Sequence, residues 1–131
     1  HIELDGPADP VIAEVDAARF ERVLANLLSN AVKYSPGGGL IQVRLASDVI
    51  GGVGWAAVSV TDHGIGIPET DLPHVFTSFF RGSNVTGKIQ GSGIGLAGAR
   101  QIVEQHGGFI QARSAPESGT TFLVRIPLSA A

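Results

Sequence analysis

Apolar residues at Phe20, Val23, Leu24, Leu27, Leu28 and Ala31 recur at the i, i+3, i+4, i+7, i+8, i+11 spacing of one helix face. Asp16 stands ahead of them as an N-cap, and Pro36 with the glycines of "YSPGGG" stops the run. Elsewhere the period drops to two. Ile41, Val43 and Leu45 alternate with Gln42 and Arg44, which predicts a half-buried strand over Leu40–Ala46. A second strand, Trp55–Val60, follows the hairpin-like connection "SDVIGGVG". Short strands are predicted at Ile2–Leu4 and Val11–Val15 around "DGPADP", and a closing pair at Phe109–Arg113 and Thr120–Ile126 across "SAPESG". Helical spacing returns over Ile94–Gln105, stopped by "HGG", and a short helix covers Glu69–Phe76. The stretch from Phe79 to Gln90 has no period and reads as a mobile loop. This order implies an α/β fold with a mostly antiparallel sheet and helices on one face.

Length and composition narrow the classes. The 131 residues suit one domain over 1–131, and a hydrophobic share of 44% argues against disorder. A net charge of −3, with no basic stripe, disfavours nonspecific nucleic-acid binding. Cysteine is absent, which excludes disulfides and thiolate metal sites. No apolar run is long enough to span a bilayer, so no direct membrane contact is expected. The opening "HIELDG" already alternates like a strand, and the chain reads as a piece of a longer protein.

The candidate chemistry begins at "QGSGIGLAGARQIVEQHGG". A dinucleotide fingerprint needs a strand directly before its glycines, and "RGSNVTGKIQ" is not one; no Gly-Lys-Ser/Thr follows, which excludes a Walker-type loop. A glycine loop at a helix N-terminus can still cradle phosphate, since backbone N–H groups approach closely and the helix end carries partial positive charge. Taken alone, it serves equally well as a flexible linker.

Three companions bear on the choice. In "NLLSNAVKY", Asn26, Asn30 and Lys33 are spaced i, i+4, i+7 and form a stripe flanking the apolar arc. Amide oxygens suit a magnesium ion whose other ligands are phosphate oxygens, with a lysine in reach of the phosphates; ordinary surface asparagine is the bland alternative. In "DHGIGIP", Asp62 ends a hydrophobic strand and meets Gly64 and Gly66. A buried carboxylate only accepts hydrogen bonds, so it would select the exocyclic amine of adenine over the carbonyl of guanine; an Asp bracing its own turn is the simpler reading. In "VFTSFFRGSNVTGK", Phe76, Phe79 and Phe80 could anchor a loop or fill the core, while Arg81 and Lys88 could swing onto phosphate.

The four motifs in this order resemble the ATP-binding domain of the gyrase, chaperone, histidine-kinase and mismatch-repair superfamily, most closely that of bacterial sensor histidine kinases. "NLLSNAVKYS" resembles the asparagine box, "DHGIGIP" the first glycine box, "FTSFFRG" the phenylalanine box, "GSGIGL" the second glycine box and "HGGFIQARSAPESGTTF" the closing hairpin. The resemblance implies a two-layer α/β sandwich, with ATP between a long helix and a flexible lid. It implies Asn30 as magnesium ligand, Asn26 as its polar support, Lys33 at phosphate and Tyr34 near the sugar or base. Asp62 would read the adenine amine, assisted through water by Thr120 or Thr121. Gly64, Gly66 and Ile67 belong to the first glycine box; Phe80, Arg81 and Lys88 would lie toward the phosphates, and Gly91, Gly93, Ile94, Gly95 and Leu96 would hinge the lid around them.

Members that hydrolyse ATP unaided resemble each other in a Glu four residues before the magnesium Asn. Here that residue is Asn26, and an amide takes no proton near neutral pH. Glu21 lies well round the helix from it. Phosphoryl transfer relies mainly on positioning and charge neutralisation and can borrow its nucleophile. That nucleophile would be a histidine outside this chain, because His1, His63, His74 and His106 all lack the setting of the family's phosphoacceptor. Thr77-Ser78 replaces the commoner Glu-Pro of the phenylalanine box, which bears on contact with the phosphoacceptor helix. The implied function is a protein-histidine kinase catalytic domain in a two-component system, monomeric when isolated and cytoplasmic, whether or not its parent is membrane-anchored. Its partners would be the dimerisation and phosphoacceptor domain of the same protein and a response regulator downstream. A self-contained gyrase-type ATPase and a nucleotide-sensing module without transfer activity are the alternatives.

Overall fold

A computed structural model describes residues 2–6, 15–33, 35, 39–67, 70–76, 95–114 and 119–128. The described elements are β1 (Ile2–Asp5), α1 (Ala17–Lys33), β2 (Ile41–Ile50), β3 (Val53–Asp62), a one-turn 3-10 helix (Leu72–His74), α2 (Gly95–Gln105), β4 (Phe109–Ser114) and β5 (Thr120–Pro127). The strands form one sheet in the order β1-β2-β3-β5-β4. Only β1 with β2 is parallel; the remaining described pairs are antiparallel.

Cross-strand register puts Val43 beside Val60, Val60 beside Phe122 and Phe122 beside Ala112, and next to them Val58, Val124 and Ile110. These positions share one face because side chains two apart along a strand point the same way. Val23, Leu27 and Ala31 of α1 and Ala99, Ile102 and Val103 of α2 are buried against that face. The result is two layers, with both helices on one side of a mixed, mostly antiparallel sheet. Each fully buried aliphatic side chain contributes roughly 1.5–3 kcal/mol.

The two helices are fastened end to end. Asp16 caps α1: its Oδ1 accepts the N–H of Arg19 at 3.2 Å, and its carbonyl accepts that of Phe20 at 2.8 Å. The Asp16 N–H in turn donates to Nε2 of His106 at 2.9 Å. Arg19 of α1 donates to the Gln105 side chain at the end of α2. Helix α2 closes on Gly107, at φ +77°, with Gly107 and Gly108 N–H groups returning to Glu104 and Val103 carbonyls.

Several predicted bounds differ from those observed. The strand predicted to end at Ala46 runs on to Ile50, because the turn needs only Gly51 and Gly52, both at positive φ. Such a two-residue turn matches the twist of its strands and keeps Ser47–Ile50 paired with Val53–Ala56. Of the short helix predicted over Glu69–Phe76, the described residues 70–76 hold a single 3-10 turn; Pro73 is tolerated at its start but has no N–H to extend a ladder. Of the predicted strand Val11–Val15, residues 11–14 lie outside the described residues and Val15 is not in a strand. The loop Phe79–Gln90 also lies outside the described residues.

Candidate functional site

The apolar face ends in a polar row. Asp62 of β3, Thr120 of β5 and Ser114 of β4 are successive cross-strand partners, one step beyond Val60, Phe122 and Ala112. Asp62 is 2% exposed and Thr120 is 4% exposed, although neither residue type favours burial. Asp62 Oδ1 accepts the Gly64 N–H at 2.9 Å. Burial pushes the Asp62 carboxyl above the ordinary carboxylate range, against the lowering effect of hydrogen bonds from the Gly64 and Thr120 backbones and of nearby His63.

Local backbone shape makes this row possible. Gly66 turns the chain at φ +72° just after Asp62. Gly119 sits at φ +83°, and a Cβ there would lie 2.1 Å from the Asp62 carbonyl oxygen. Only glycine lets the backbone at position 119 press that closely on the end of β3. Ser114 Oγ accepts the Ile67 N–H at 2.7 Å and donates to the Gly119 carbonyl at 2.6 Å, which ties the glycine-rich turn to the closing hairpin.

On α1, Asn26 and Asn30 are half-buried, whereas Glu21, Arg22, Ala25, Ser29 and Val32 are exposed. The asparagines border the buried line Val23–Leu27–Ala31 on one side, while Leu24 and Leu28 border it on the other. Lys33 is the last residue of the helix, and its side chain lies outside the described residues. Among the described residues no three His, Cys, Asp or Glu side chains gather as a metal site. One amide oxygen from Asn30 suits a magnesium ion, which keeps most of its shell for water and phosphate.

The structure brings Asp62, Gly64, Gly66, Ile67 and Thr120 to one end of the sheet. Thr121 points to the opposite face, where its hydroxyl meets that of Thr61 at 2.9 Å. Of the two threonines, then, it is Thr120 that accompanies Asp62. Gly95 opens α2, and Leu96 is packed against the core. Phe76 stacks edge-on against Phe122 at 6.2 Å, and Arg100 lies 6.0 Å over its ring, so this phenylalanine fills the core. Tyr34, Phe79, Phe80, Arg81, Lys88, Gly91, Gly93 and Ile94 lie outside the described residues. Of the histidines, His106 is structural: its Nδ1 meets the Ile102 carbonyl at 2.8 Å while Nε2 accepts from Asp16. Sequence reasoning passed over Ser114 and Gly119. The sequence offered only the turn "SAPESGT" between two predicted strands; that Ser114 lies opposite Thr120 is seen in the register alone.

Residues 15–130 match the family described as histidine kinase-, DNA gyrase B-, and HSP90-like ATPase. An adaptive-response sensory kinase SasA of Synechococcus sp. is 39% identical over 127 residues, covering 97% of this chain and 32% of that protein. The mycobacterial sensor histidine kinase MprB structure superposes with a TM-score of 0.83 at 33% identity, over 99% of this chain and 86% of that one. A full-length ShkA structure in complex with AMPPNP gives a TM-score of 0.74 at 25% identity, over 99% of this chain and 26% of that one. The chain thus spans about a third of the length of the sensory kinase SasA that it matches.

Proposed function

The chain belongs to the histidine kinase-, DNA gyrase B-, and HSP90-like ATPase family, and from that premise we propose that it is the ATP-binding catalytic domain of a sensor histidine kinase. It binds Mg-ATP and passes the γ-phosphoryl group to a histidine on a separate dimerisation and phosphoacceptor domain of its parent protein. A response regulator takes the group next. The observation that carries this reading is the buried, hydrogen-bonded carboxylate of Asp62, set in a polar row at the end of an apolar face.

Asp62 is an acceptor with no competing solvent, suited to an exocyclic amine. Thr120 stands beside it, and Gly64, Gly66 and Ile67 shape the turn over the base. Asn30 would hold magnesium, supported by Asn26; the ion would neutralise phosphate charge. Lys33, Arg81 and Lys88 would add positive charge at the phosphates, with Tyr34 near the sugar. Phe80 and the glycines Gly91, Gly93 and Gly95, with Ile94 and Leu96, would close over the tail. Asn26 cannot accept a proton from water, which favours transfer to a histidine over unaided hydrolysis. No helix among the described residues is long and apolar enough to cross a membrane, and a cytoplasmic site of action follows from the kinase reading.

Mixing the chain with a phosphoacceptor domain and γ-labelled ATP tests the proposal. Label should reach the acceptor's histidine, while the chain alone releases little phosphate. Steady phosphate release by the chain alone would favour the gyrase-type ATPase. Binding without transfer to any acceptor would favour a nucleotide-sensing module.

A further inference from the structure

The hydroxyl of Ser114 touches three groups, and together they fix where every hydrogen lies. The Ile67 N–H lies 2.7 Å away and can only donate. The Gly119 carbonyl oxygen lies 2.6 Å away and can only accept. Thr120 Oγ1 lies 2.9 Å away. A serine hydroxyl has one hydrogen and two acceptor lone pairs. Its hydrogen must lie on Gly119, so the hydrogen between the two hydroxyls belongs to Thr120. Thr120 has then used its only donor, and its oxygen can offer a ligand nothing but acceptance.

We propose that Ser114 is a specificity-setting positioning residue: by taking the Thr120 hydrogen, it makes Thr120 a second obligate acceptor beside Asp62. The two are cross-strand partners on the inner face. This rests on the reading of their end of the sheet as the base subsite. An exocyclic amine carries two N–H groups, one for each acceptor, and the choice holds where Thr120 meets the base directly, since a bridging water could donate to both Thr120 and a carbonyl. A 6-oxopurine has one ring N–H and a carbonyl at that edge. It can satisfy one acceptor and must set its carbonyl against the other. Ser114 therefore sharpens the choice of a 6-aminopurine without touching the base.

Calorimetric titration of the chain with ATP and with inosine triphosphate, magnesium present, tests the idea. The wild type should prefer ATP by at least about tenfold. In Ser114→Ala the Thr120 hydrogen is free to turn toward a 6-oxo group, and the preference should shrink by about tenfold. A merely structural loss would weaken both nucleotides together and leave their ratio alone. Thr120→Val should also shrink the ratio, and adding Ser114→Ala to it should change the ratio no further. The valine variant keeps the test alive if Ser114→Ala does not fold. A folded Ser114→Ala with the wild-type ratio overturns the proposal, as does an unchanged ratio in Thr120→Val. No heat from either nucleotide with the wild type would instead overturn the base-subsite reading beneath it.

Discussion

The two ends of the β2–β3–β5 sheet use opposite rules. At the end formed by Asp62, Thr120 and Ser114, two buried polar residues and a half-buried serine are hydrogen-bonded to one another and to neighbouring backbone. At the hairpin end, apolar groups stand in solvent: Val49 is 72% exposed, Ile50 46% and Val53 48%. Polar atoms there go without partners, since Asp48 Oδ1 and Trp55 Nε1 are buried and unbonded. Burying a carboxylate costs stability, and networks of satisfied polar groups persist where they specify something. The hairpin end obeys looser constraints because the helices do not cover it. The contrast teaches that position-by-position precision in this sheet is concentrated at the Asp62 end.

The largest effect that separates the ends should come from Gly119. A methyl group at this position meets the Asp62 carbonyl oxygen at 2.1 Å on a backbone at φ +83°, and its nearest neighbours are backbone atoms that cannot swing aside. Gly119→Ala should lower stability by about 3 kcal/mol or more in denaturant titration and abolish nucleotide binding. At the other end Gly52, at φ +81°, has no heavy atom within 4 Å of the same methyl, so its substitution meets conformational strain alone. A Gly119→Ala chain with wild-type stability would show that the site end is not rigid.

Asp62→Asn comes next, and it should split affinity from stability. The carboxyl is raised above its ordinary range by burial, so the native state binds a proton more readily than the unfolded chain does. The favourable contribution is full below the unfolded value of about 3.9 and is lost as pH rises through the higher native one. Wherever the residue is ionised in the native state, its charge therefore detracts from stability. The Asp62→Asn change removes that loss, and the variant should be as stable as the wild type or more so, by up to about 2 kcal/mol. Its nucleotide affinity should fall at least about 100-fold, since a buried partner would be mismatched. Thermal melts across pH, paired with calorimetry, check both halves. Equal pH profiles for the two chains would remove Asp62 from the account.

The same contrast explains what the sequence made legible. The stripe of Asn26 and Asn30 could be read because helical spacing alone fixes which residues border the buried line, and both are half-buried as that spacing requires. The position of Asp62 at the end of a strand, beside two glycines, could be read, and the structure adds that it is buried. Ser114 and Gly119 could not, because their roles depend on which residue of a neighbouring strand lies opposite. That register is set by the length of the turn and by packing, not by local composition. The continuation of β2 to Ile50 was hidden for a related reason: Ser47 and Asp48 interrupt the apolar alternation, and only pairing with Trp55 and Ala56 keeps them in the strand. Thr120 and Thr121 are adjacent and chemically equal, so only the pleat, which sends them to opposite faces, tells them apart.

The smallest expected effect lies at the hairpin end and sharpens the comparison from below. Asp48 Oδ2 accepts from Nε and Nη2 of Arg125 at 3.3 and 3.2 Å, while its other oxygen is buried and unbonded. Arg125 also lies 5.7 Å over the ring of Phe109, which itself packs edge-on against Trp55 at 5.3 Å. The arginine is thus held by an aromatic face as well as by one carboxylate oxygen, and the pair is partly open to solvent. Asp48→Asn would weaken a charge-assisted bond but remove the charge from a group whose other atom is buried without a partner. The two changes oppose each other, and partly exposed pairs contribute little to begin with. Denaturant titration should find a change within about 1 kcal/mol, and calorimetry should find ATP affinity unchanged within about twofold. A larger drop in affinity would mean that the hairpin end positions Asp62 through β3, and that the two ends of the sheet act as one unit.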